Sequence, residues 1–102
     1  MKRSQVLEKY RGKSADDFKT FKEKITCARI NYYKTGSRKK ILTLSRASRK
    51  IGISMVYLSQ LENGQRSTPN AAIVHKIEEV YGFGSGELAG VLAHESNLIK
   101  RR

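Results

Sequence analysis

The chain has 102 residues, enough for one domain with a modest core, and carries 21 Lys and Arg against 9 Asp and Glu, a formal charge of +12. No apolar run approaches the ~20 residues of a membrane-spanning helix, and no charged n-region followed by an apolar h-region marks a signal peptide. A single cysteine, Cys27, excludes an intramolecular disulfide framework and suits a reducing, cytoplasmic setting.

The excess charge is confined to residues 1–50, which hold 16 basic and 4 acidic residues, whereas residues 51–102 hold 5 of each. A solvated surface accounts for some excess but not for this asymmetry. A polyanionic partner accounts for both, and nucleic acid fits better than a membrane.

In chain order, residues 1–15 are polar and basic, with Val6, Leu7 and Tyr10 as their only sizeable apolar groups. They fit either a frayed arm or one short helix. Ser14 or Asp16 then caps a long helix along which Phe18, Phe21, Ile25, Ala28 and Tyr32 recur at +3 and +4, the stripe of a core-facing helix; Gly36 ends it. Ser37-Arg38-Lys39-Lys40 is a basic connector. Thr43 caps a second helix, 44–51, with Leu44, Ala47 and Ile51 inward and Arg46, Arg49 and Lys50 outward. Residues 38–50 thus hold six positive charges and no negative one. Cations on and before a helix start are well placed to grip phosphate.

Gly52 to Gly64 is the most informative stretch. Gly52 supplies the positive φ of a tight interhelical turn, Ser54 is a good N-cap, and Gly64 suits a left-handed helix end. Between them Leu58 and Leu61 face inward, while Met55, Val56, Gln60 and Asn63 have no place in that core. So short a helix needs its neighbours to hold it. The plain alternative is an ordinary αα-corner; the functional one is a DNA-reading helix-turn-helix. After a polar loop, Gln65 to Asn70, Pro69 suits the edge of a fourth helix over about 70–81 with Ile73, Ile77 and Val80 inward. Glu78-Glu79 reads as a solvated helix face. Ser85 or Gly86 opens a fifth helix, 86–93, carrying Leu88, Val91 and Leu92. The sequence divides into an arm or short helix at 1–15, a folded domain at 16–93 and a basic tail at 94–102.

Chemistry-bearing constellations are not visible. His75 and His94 have no acidic or thiol partner at ligand spacing, so no metal is expected, and no phosphate loop, nucleophile elbow or paired-carboxylate motif points to an enzyme or to a cofactor.

Residues 42–92 resemble the phage repressor and Cro-type helix-turn-helix family, the XRE family. The matching residues are Leu42-Thr43, Ala47, Ile51-Gly52-Ile53-Ser54, Tyr57-Leu58-Ser59-Gln60-Leu61-Glu62-Asn63-Gly64, Arg66 and Pro69, with Val80 to Phe83 and Glu87-Leu88 following. The resemblance implies an all-α, compact five-helix repressor-like domain, 16–93, that binds double-stranded DNA as a homodimer on a palindromic operator. It implies base reading by Met55, Val56, Tyr57 and Gln60. It implies phosphate binding by Thr43, Ser54, Asn63, Gln65, Arg66 and Ser67. Gly52, Leu58, Leu61, Glu62 and Gly64 would be structural, with Glu62 pairing with Arg29 in preference to Arg38. The chain departs from the family where a glutamine after the helix-two cap is Leu44, a glutamate is Arg46, and a leucine and alanine are Ala47 and Ser48. The connector before helix two is also longer than usual. Lys39, Lys40 and Arg46 are therefore expected to take over part of the phosphate grip.

Met55 and Val56 offer no hydrogen bonds but suit thymine methyls, and Gln60 suits adenine. With no Lys or Arg on the reading helix, little arginine-to-guanine readout is expected, and DNA shape contributes more. The leading function is a bacterial or phage-encoded transcriptional repressor. The alternative is an antitoxin that binds operator DNA and a toxin partner, for which Val91, Leu92, Leu98 and Ile99 leave an apolar surface. A third is a charge-driven nucleoid or RNA binder, which random DNA would compete off as well as any chosen site.

Overall fold

Short polar side chains set the helix starts, and glycines set several of the ends. The computed structural model describes residues 8–32, 41–65 and 69–100. Five α-helices lie wholly within the described residues, α1 (Phe21–Ile30), α2 (Leu44–Ile51), α3 (Met55–Glu62), α4 (Ala71–Tyr81) and α5 (Glu87–Lys100), preceded by a 3-10 turn at Ala15–Asp17 and by helical backbone at 8–10. No strand occurs among them, so the expected all-α architecture is the one that forms. Thr20, Thr43, Ser54 and Asn70 each cap the helix that follows by accepting from an N–H of its first turn, a contact that contributes about 0.5–2 kcal/mol.

α1 differs from the single long helix expected from its stripe. Ser14 caps only the 3-10 turn, in a reciprocal box with Asp17. The chain is then extended at Phe18 (φ −121°, ψ 148°) and starts again at Thr20. Ser14, Asp16, Asp17 and Thr20 are residues whose side chains compete for backbone N–H groups, which favours caps over helix interior. Glu23 completes the restart by accepting from the Thr20 hydroxyl at 2.6 Å while its own N–H donates back to that oxygen. The helix ends at Asn31, and Gly36 lies outside the described residues.

One core draws on every helix. Phe21, Ile25, Leu42, Ala47, Ile51, Leu58, Leu61, Val74, Ile77 and Leu88 are buried together. Leu44 is only partly buried at its edge, and Ser48 turns inward on α2 instead, its hydroxyl donating to the Ser45 carbonyl. On α4 the buried face centres on Val74, Ile77 and Glu78, with Ile73 and Val80 at its margins. Glu78 is thus not the solvated residue expected. Its carboxylate accepts from the N–H groups of Gly86 (3.1 Å), Leu88 (2.8 Å) and Ala89 (3.4 Å), which caps α5 from α4. α5 also runs past the expected end at residue 93, because nothing between His94 and Lys100 breaks a helix. Glu95, within that extension, accepts from the Phe21 N–H at 2.8 Å.

A second, smaller cluster lies on the other flank of α1, where Tyr10, Cys27 and Ile30 are buried with Phe18 and Ile41 against them. Asn31 ties this flank down. Its Nδ2 donates to the Tyr10 carbonyl (2.7 Å) and its Oδ1 accepts from the Gly12 N–H (2.8 Å). Of the two readings of the first residues, helical backbone is present at 8–10, and the segment from Glu8 to Phe18 packs along α1.

Candidate nucleic-acid interface

The corner between α2 and α3 follows from Gly52, which ends α2 at φ +88°. Its N–H and that of Ile53 both donate to the Ser48 carbonyl, at 2.8 and 3.0 Å. A Cβ placed on Gly52 would meet nothing within 4 Å, so the demand for glycine is one of backbone conformation and not of space. Ser54 then caps α3, its hydroxyl accepting from Tyr57 N–H at 3.0 Å.

α3 is held from one side and open on the other. Leu58 and Leu61 are fully buried, while Met55 and Val56 stand 51% and 64% exposed at its first turn, the exposed large hydrophobic residues of the described structure. Ser59 and Gln60, partly exposed, continue that face one turn on. Tyr57 packs partly against the core. Ser59 was not singled out from the sequence; the i+4 spacing from Met55 was the available signal, and its hydroxyl accepts from Asn63 Nδ2 at 3.4 Å. Thr43, Arg46, Ser54, Asn63 and Gln65 are exposed around this face. Lys39, Lys40, Arg66 and Ser67 lie outside the described residues, as does Arg38.

A buried ion pair fixes the angle at which α3 is presented. Arg29 of α1 meets Glu62 through two parallel contacts, Nε to Oε2 at 2.7 Å and Nη2 to Oε1 at 2.9 Å, and donates from Nη1 to the Leu42 carbonyl at 3.0 Å. The two side chains are 12% and 8% exposed. One guanidinium therefore ties α1 to the end of α3 and to the residue before the α2 cap. The fork geometry suits Arg and not Lys. Tyr81 lies in the field of this pair, and burial together with the Glu62 carboxylate pushes its phenol well above the ordinary tyrosine range.

Electrically, the pairing leaves the outer side of α3 without a free charge, since Glu62 is the one ionisable carboxylate or cation between residues 52 and 65. Positive charge lies next to it, on the exposed Arg46, Arg49 and Lys50 of α2. Lys50 Nζ sits 5.9 Å from the Tyr32 ring centroid, which braces the end of α2 against the end of α1. Among the described residues no group of His, Cys, Asp and Glu is placed to hold a metal, and no helix is long and apolar enough to cross a membrane.

An exposed apolar pair at a helix start, flanked by capped N-termini and by arginines, can meet base edges while its surroundings meet phosphate. A helix-turn-helix family profile matches residues 38–88, which takes in the corner, α4 and the first residues of α5. No curated protein and no solved structure matches the chain.

Proposed function

The chain belongs to the Cro and phage-repressor type of helix-turn-helix proteins and is a DNA-binding transcriptional regulator, and on that premise we propose that it is a sequence-specific repressor that binds a palindromic operator as a homodimer. The observation that carries this reading is the exposure of Met55 and Val56. Two large apolar side chains left in water at the start of a helix cost solvation, and contact with thymine methyls in a major groove recovers it. Gln60, one turn along, adds a bidentate partner for adenine. Thr43, Arg46, Ser54, Asn63 and Gln65 grip the backbone on either side, joined by Lys39, Lys40, Arg66 and Ser67. A two-fold dimer places its two reading helices about 34 Å apart, one turn of the duplex.

Selection of bound sequences from a random DNA pool tests the proposal. The expected result is a two-fold symmetric consensus, rich in A·T pairs at the positions facing Met55, Val56 and Gln60. A pool that stays random would favour a charge-driven binder, and an asymmetric consensus would remove the dimer.

A further inference from the structure

Gly64 follows the last turn of α3, at φ +76°, and its bare Cα is covered by Lys22 from the first turn of α1. A Cβ at this position would lie 3.2 Å from Lys22 Cδ, 3.9 Å from Cε and 3.5 Å from Nζ. The aliphatic stem of Lys22 therefore runs across the glycine and delivers its ammonium to the chain between Asn63 and Gln65, both exposed. Lys22 is itself exposed, and no described carboxylate forms an ion pair with it. Glu95 borders the same cleft but is engaged as the acceptor for Phe21 N–H. Between residues 52 and 65 the chain has no Lys or Arg of its own, so the ammonium set over Gly64, ahead of Arg66 in the chain, is lent by another element.

We propose that Lys22 is a phosphate-binding residue of the DNA interface, carried by α1 and positioned over the turn after α3 by the missing side chain of Gly64. The inference rests on α3 being the reading helix. With α3 in the major groove, the turn at its end faces a sugar–phosphate wall, where a compact ammonium finds a partner and carries no sequence preference. Arg46 on α2 then grips one side of the groove and Lys22 the other, so the neutral helix is held between two borrowed charges.

The test is the salt dependence of DNA binding for the wild-type chain, Lys22→Ala, Lys22→Arg and, as a control on another face, Lys76→Ala. Losing one phosphate contact lowers the slope of log K against log salt by about 0.9. Lys22→Ala is expected to show that drop and to weaken operator and random DNA equally. Lys22→Arg should restore the slope, and Lys76→Ala, which removes a cation near Glu79 on α4, should leave it unchanged. A folded Lys22→Ala protein with the wild-type slope overturns the assignment, and so does an equal drop for Lys76→Ala. The slope can be read on random DNA, so loss of the sequence-specific proposal would show separately, as equal binding of all sequences by the wild type.

Discussion

Arg29 and Glu62 show how much one pair of side chains can settle. Both are withdrawn from water, and each satisfies the other through two parallel hydrogen bonds. Removing one member leaves the other charged and buried, which costs about 3–5 kcal/mol. Glu62→Ala is therefore expected to lower the urea midpoint by a large fraction of the domain's stability, far more than an exposed substitution such as Glu79→Ala. The two positions are 33 residues apart, and nothing in local periodicity links them. Their pairing was legible only through the resemblance of the Ser54 to Gly64 run to a family in which an acidic residue at this place meets an arginine of helix one. Lys22 was not legible, because its stem fills the space that a side chain at position 64 would take, and no spacing along the chain reveals that.

At the level of elements, helices with a polar residue before them and a left-handed glycine after them were readable from sequence. α2 occupies the span expected from Thr43 and Gly52, and α4 ends at Gly82 with φ +80°. The stripe on α1 misled at both ends, since Tyr32 lies past the last helical residue, Ile30. Phe18 has the spacing of a helical core residue but reaches the Tyr10 cluster from extended chain, with ring centroids 5.0 Å apart. Glu78 was misread because its partners are backbone N–H groups eight to eleven residues on, which no spacing of side chains reveals. Burial alone would push its carboxyl up, but the three N–H donors outweigh that and, with His75 nearby, hold it below the usual carboxylate range. The unfolded chain binds this proton at the ordinary, higher value. The stabilisation is thus complete above that value and is lost as pH falls through the depressed folded one. Glu78→Gln, which sets an amide against those donors, should cost about 1–3 kcal/mol near neutral pH. Measured by urea denaturation, its difference from the wild type should shrink as pH falls below about 4.

Over the whole molecule, specificity and attraction are assigned to different parts. The reading face of α3 is uncharged, and the net charge of +12 resides in residues 1–50. Gln60→Ala should therefore cost on the order of 1–3 kcal/mol at one base pair of the operator while leaving the salt slope as it was; uniform weakening on all sequences would remove its base-reading role. The same economy of parts has a consequence for how the chain comes off the ribosome. Every residue of the α2–α3 corner is made before Glu95, yet the first turn of α1, which carries Lys22, takes its Phe21 N–H partner from that carboxylate, 74 residues later. During synthesis the corner leaves the ribosome before the core it shares with α4 and α5 exists, and the helix that braces it completes its hydrogen bonding only when α5 arrives, so the order of translation makes α5 the latch that closes the domain.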